Sequence, residues 1–153
     1  MYLSSYAVRL RDWILFKEIG MSKIVEELMA EHEVLAKVLT DVKEKGVSTD
    51  EGRGMLMSAR EGLLAHLAKE DEHLYPQLME KSKEDQNLKN LLDTFARDMD
   101  GISKAALDFF DKYQDGGSEI EFAKDFGALY GALSNRIRKE ETILYPEFDK
   151  IAD

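Results

Sequence analysis

The chain contains three histidines, at positions 32, 66 and 73, and no cysteine. Imidazole chemistry therefore falls to His32, His66 and His73, and disulfides, iron–sulfur clusters, zinc knuckles and cysteine nucleophiles are excluded. His66 and Glu70 stand four residues apart. On a helix that is about one turn, so both side chains leave the same face and can reach a single ion. Imidazole and carboxylate together suit iron, manganese or zinc. His73 lies seven residues beyond His66, about 10.5 Å along a helix axis, which is far for a shared ion. Its Glu-x-x-His spacing with Glu70 would instead suit a second ion bridged by that carboxylate. The plainer reading of His66 and Glu70 is a hydrogen bond along a partly wet helix face, and of His73 a place outside the ligand set, at the rim.

Helices must position these groups, and the punctuation of the sequence says how many. Two prolines and ten glycines are set among Leu, Ala, Glu and Lys. Lys45-Gly46-Val47-Ser48 ends one segment, and Ser48 with Glu51 reads as a capping box that starts the next. Pro76 breaks or kinks that second segment, and the polar run Lys81 to Asn87 reads as a connection. Asp115-Gly116-Gly117-Ser118 ends the third, and Ser118 with Glu121 makes another capping box. Helices are predicted over about 22–45, 50–80, 88–114 and 119–150. Short connections make sequence neighbours antiparallel, so the fold class is all-α, an up-down-up-down four-helix bundle over 22–153. An N-terminal extension, 1–21, precedes it. Tyr6, Leu10, Trp13, Ile14, Leu15 and Phe16 make that extension apolar. An extra helix lying on the bundle is the expectation, with a homodimer contact as the alternative.

Each predicted helix carries an inward seam. The first runs Leu28, His32, Leu35, Leu39, Val42. The second runs Leu56, Ala59, Leu63, His66, Glu70, His73, Gln77. The third runs Leu88, Leu92, Phe95, Met99, Ile102, Ala106, Phe109, Tyr113. The fourth runs Phe122, Phe126, Leu129, Leu133, Arg136, Glu140, Ile143, Glu147. The chain also repeats itself, with His66 to Pro76 reappearing 70 residues later as Arg136 to Pro146 and keeping Lys, Glu, Leu, Tyr and Pro in register. Glu31 to Leu35 aligns likewise with Asp98 to Ile102. Two hairpins related by a pseudo-twofold axis would put His32, His66, Met99 and Arg136 at one level of the core. Glu70 and Glu140 would share the next level, with His73 facing Ile143 below. Burying ionisable groups costs several kcal/mol each unless they are paired or metal-bound. A divalent ion would account for a seam of His66, Glu70 and His73 facing His32 and Glu140, while histidine–carboxylate–arginine pairing is the alternative.

Glu-His-x-x-Leu on the first helix, then His-x-x-x-Glu running into Leu-Tyr-Pro on the second, resembles the hemerythrin-like (HHE cation-binding) domain family over about residues 22–150. In that family each hairpin gives one His from its first helix and His-x-x-x-Glu from its second, and the six ligands hold a bridged di-iron centre. The resemblance implies ligand roles for His32, His66 and Glu70, which match fully. In the second hairpin only Glu140 matches. Met99 and Arg136 stand where two histidines belong. A thioether is a poor ligand for an oxygen-rich iron site. A guanidinium does not deprotonate in practice and can take the electrostatic place of a second metal ion. The implied site is half a di-metal centre: iron, mononuclear or asymmetrically dinuclear, with zinc as a substitute occupant. Tyr75 and Tyr145, each before a proline, read as bundle-end anchors.

Lys plus Arg is 21 and Asp plus Glu is 31, a net charge of −10. That surplus of acid argues against a nucleic-acid partner. No apolar run approaches the ~18 residues of a membrane span, and Arg9, Arg11 and Asp12 interrupt any secretory pattern, so a cytoplasmic protein is expected. The leading functional expectation is a non-enzymatic metal-binding protein that senses, stores or handles metal, O2 or NO. A bundle that has lost its metal and serves as an interaction module is the alternative. A redox or iron–sulfur repair role ranks last, because repair proteins of this family often carry a Cys-containing domain.

Overall fold

The computed structural model describes residues 20–152. The helices are α1 Lys23–Lys45, α2 Asp50–His73, α3 Tyr75–Ser82, α4 Gln86–Tyr113, α5 Glu119–Lys139 and α6 Tyr145–Ile151, with a π-helical turn at Glu140–Leu144 joining α5 to α6. They form four antiparallel rods, and no strand occurs among the described residues. The second rod is α2 continued by α3. The fourth is α5, the π turn and α6. The predicted extra helix and dimer contact of the extension fall mostly on residues 1–19, outside the described residues. No helix among the described residues is long and apolar enough to cross a membrane.

The rods start and stop for local reasons. Ser118 caps α5 as predicted, its hydroxyl accepting from the Glu121 N–H at 3.4 Å. At α2 the cap is Thr49 rather than Ser48: the Thr49 hydroxyl accepts from the Gly52 N–H at 3.1 Å, and Asp50 and Glu51 complement the helix dipole in the first turn. Asp85 caps α4 through the Leu88 N–H at 3.1 Å, which starts that helix ahead of the predicted Leu88. Gly46 ends α1 with φ +70°, a conformation that L side chains rarely adopt. A Cβ there would also lie 2.6 Å from the Glu119 carboxylate. That same carboxylate accepts the Val47 N–H at 3.1 Å, tying the α1–α2 loop to the start of α5.

Two apolar clusters fill the bundle. One surrounds Val42, Leu56, Phe109, Phe110, Tyr113 and Phe122. The other surrounds Leu28, Leu74, Leu78, Phe95, Leu144 and Phe148. The buried polar residues lie on the seams between them: His32, His66, Glu70, Arg136 and Glu140, none more than 3% exposed. The predicted seams hold down to Glu70 and Glu140 and then slip. Beyond Glu70 the buried positions are Leu74 and Leu78, not His73 and Gln77. The rod breaks at Leu74, where Pro76 just ahead cannot donate a backbone hydrogen bond. Beyond Glu140 the Tyr145 N–H bonds to the Glu140 carbonyl, five residues back. This wide turn adds one residue to the period. Leu144 and Phe148 therefore take the places predicted for Ile143 and Glu147, and Ile143 is 42% exposed.

Two glycine replacements test the local account. Gly46→Ala should cost upwards of about 1 kcal/mol, because the side chain meets both a positive φ and a fixed carboxylate. Gly101→Ala, at a mid-helix site with nothing within 4 Å, should add about 0.5–1 kcal/mol. Urea midpoints of opposite shift are the expected outcome.

Candidate metal centre

The two imidazoles of the first hairpin meet head to head. His32 Nε2 on α1 lies 3.0 Å from His66 Nε2 on α2. His32 Nε2 is also 3.0 Å from Glu140 Oε2, and His66 Nε2 is 3.4 Å from Glu70 Oε1. One donor atom from each of these four residues falls within 4.8 Å of all the others. The outward nitrogens are tied down. His32 Nδ1 bonds to Glu141 at 3.0 Å, and His66 Nδ1 to Glu31 at 2.8 Å. Lys69 in turn pairs with Glu31. A carboxylate accepting from Nδ1–H fixes the tautomer and leaves the Nε2 lone pair facing inward, the arrangement found behind metal-binding histidines.

Two features of the layer fit a cation. Facing Nε2 lone pairs at 3.0 Å repel unless a proton or a metal ion lies among them. Glu70 Oε2 is buried without any hydrogen-bond partner, a cost of about 1–3 kcal/mol or more for a charged group. Donors held about 2.0–2.2 Å from a first-row ion stand roughly 3 Å from their neighbours, as these do.

Arg136 occupies the other half of the layer. Its Nε donates to Glu140 Oε1 at 2.7 Å, its Nη1 to the Phe95 carbonyl at 2.9 Å, and its Nη2 to the Tyr75 hydroxyl at 2.8 Å. The guanidinium also stacks 4.4 Å from the Phe95 ring centroid. Glu140 is thereby shared, one oxygen to Arg136 and the other to His32. Met99 is half-buried and lines a small cavity of ≈ 50 Å³ whose wall is mainly apolar and which reaches His32, His66, Arg136 and Glu140.

Of the five residues picked from the sequence, the structure brings together His32, His66, Glu70 and Glu140. His73 is not with them. Its side chain is 53% exposed and its nearest charged partner is Glu72 at 3.8 Å, because the seam continues through Leu74. Three partners went unread. Tyr145 puts its hydroxyl 2.8 Å from Glu70 Oε1, and Glu31 and Glu141 back the two histidines. Tyr145 follows Glu140 by five residues, about 140° round a regular α-helix. Only the π turn swings it inward. The repeated Leu-Tyr-Pro is the available signal, and by itself it points first to a bundle-end anchor.

A sequence model of the hemerythrin HHE cation-binding domain matches residues 21–148. With the antiparallel four-rod fold and the buried His/Glu cluster in place, the chain belongs to the hemerythrin HHE cation-binding family. No curated protein and no solved structure gives a significant match.

Charge sets the pH behaviour. Burial opposes a charged His32, but hydrogen bonds and charge from Glu140 and Glu141 outweigh it and raise the pKa from 6.5 to about 9. Burial likewise opposes ionised Glu140, yet His32 and Arg136 hold it below its ordinary value. In the cation-free protein the His32 contribution is fully present below pH 6.5 and is lost as pH rises through about 9. A metal must displace that proton, so its affinity should rise over the same interval. Chemical unfolding of chelator-treated protein and metal titration, each from pH 6 to 9, should therefore trend in opposite directions. Removing the arginine should be severe: Arg136→Met leaves Glu140 short of its cation and should lower the unfolding free energy measured in urea by about 3–5 kcal/mol.

Proposed function

We propose that this protein is a non-enzymatic metal-binding domain that holds a single ion, principally iron, through His32, His66, Glu70 and Glu140, and that it senses, stores or handles metal, O2 or NO. The observation that carries the reading is the pair of inward Nε2 atoms 3.0 Å apart beside a buried, unpartnered carboxylate oxygen. Two imidazoles with two carboxylates suit iron, and zinc would accept the same four donors. Support for one ion rather than two comes from Arg136, whose fixed charge sits on Glu140, from Met99, and from His73 lying outside the layer. Oxygen binding that draws one electron from each of two ferrous ions has no place in such a site.

A second reading is favoured by one observation. With His32 protonated up to about pH 9, its charge and that of Arg136 answer Glu140 and Glu141 without any metal. The bundle would then be a structural or interaction module held by its own ion pairs.

Metal analysis separates the two. Protein from iron-supplemented medium should carry about one ion per chain, and His66→Ala should carry none. No metal in either protein would favour the module, and two ions per chain would overturn the role given to Arg136. Met99→His combined with Arg136→His should raise the stoichiometry.

A further inference from the structure

Resting on the reading of this layer as a metal site, we infer that Tyr145 is a fifth donor to the same ion, a phenolate ligand that biases the centre toward a hard trivalent cation such as ferric iron. Its oxygen lies 2.8 Å from Glu70 Oε1, 3.2 Å from His32 Nε2 and 3.3 Å from Glu140 Oε2. Those separations match the 3.0, 3.0 and 3.4 Å among the four other donors. The hydroxyl thus occupies a further corner of one donor cage rather than a position behind it. A simple hydrogen-bonding role explains this less well. The phenol has one hydrogen, which Glu70 can take, yet the same oxygen also faces a second buried carboxylate.

Chain geometry supports the assignment. The π turn at Glu140–Leu144 is what carries Tyr145 inward, and π turns inside α-helices frequently mark functional sites. Tyr75, at the equivalent place in the first hairpin, bonds Arg136 instead, so the two tyrosines are not interchangeable. Phenolate, beside the Glu70 and Glu140 carboxylates, is a hard anionic oxygen donor and suits a trivalent ion. On binding, the Tyr145 O–H bond breaks, an oxygen–metal bond forms, and the proton leaves to solvent. No electron is transferred.

The full chain is titrated with ferric citrate in air and read by visible absorption, resonance Raman scattering and bound iron. The wild type should develop a phenolate-to-iron charge-transfer band with enhanced phenolate vibrations. Tyr145→Phe keeps the ring and its packing. It should lose the band, retain about one iron per chain, and bind ferric ion at least ~10-fold more weakly. Tyr75→Phe should keep the band. Iron bound by the wild type without the band, or a band that survives in Tyr145→Phe, would overturn the assignment while leaving the metal site standing. No ferric binding by a wild type that still carries about one ion per chain from iron-supplemented medium would overturn the assignment alone, and no metal under either condition would overturn both.

Discussion

The structure is organised around the cost of keeping charge away from water. Five ionisable side chains lie in one layer of the bundle, and each would forfeit several kcal/mol of hydration if left unpaired. The two apolar clusters on either side cannot help them, so every donor and acceptor must be met within the layer or from its edge. That requirement fixes the rotamers. His32 is pinned at both ring nitrogens, His66 is held by Glu31, and Arg136 is spread over a carboxylate, a carbonyl and a phenol. Against this near-complete matching, the bare Glu70 Oε2 stands out. An unmet acceptor in a layer otherwise so fully paired is what a cation would complete.

The two hairpins are copies whose halves have taken different chemistry. Arg136 corresponds to His66 and Glu140 to Glu70, so the guanidinium sits one turn from its carboxylate just as the imidazole does. The tyrosines cross between the copies. Tyr75 of the first hairpin bonds Arg136 of the second, and Tyr145 of the second contacts Glu70 and His32 of the first. Each half-site is therefore closed by the other hairpin. A fixed cation needs only lone pairs around it, which a phenol oxygen and a carbonyl supply. The imidazole half lacks such a cation and keeps its donors pointed at a shared centre.

Much of this was legible in the residues. Four helical segments, their ends to within about two residues, and the gathering of His32, His66, Glu70 and Glu140 follow from punctuation, seam spacing and internal repetition. The failures share one cause. A seam drawn with regular α-helical steps assumes a regular α-helix, and both Leu-Tyr-Pro segments break that assumption. Past Leu74 the step of four persists, leaving His73 outside. Past Glu140 the extra residue of the π turn exchanges Ile143 for Leu144. A break or kink is what proline leads one to expect, yet its larger effect is on the register of the residues around it. Glu31 and Glu141 were missed because each flanks a seam position, and flanking acids look solvated until the histidine beside them turns its Nδ1 outward.

Those flanking acids also make the site lopsided. Glu31 is shared between His66 and Lys69, so the charge behind His66 is already answered from outside. Glu141 has His32 as its ion-pair partner among the described residues, and Glu140 presses on the opposite edge of the same ring. Two carboxylates on one imidazole make His32 hold its proton well above the ordinary imidazole range in the cation-free layer. A metal ion entering there must compete with that proton, yet once it has displaced it the same carboxylates strengthen the imidazole as a donor. A proton and a metal ion would thus exclude one another from a single electrostatic well, whose depth is set by Glu140 and Glu141.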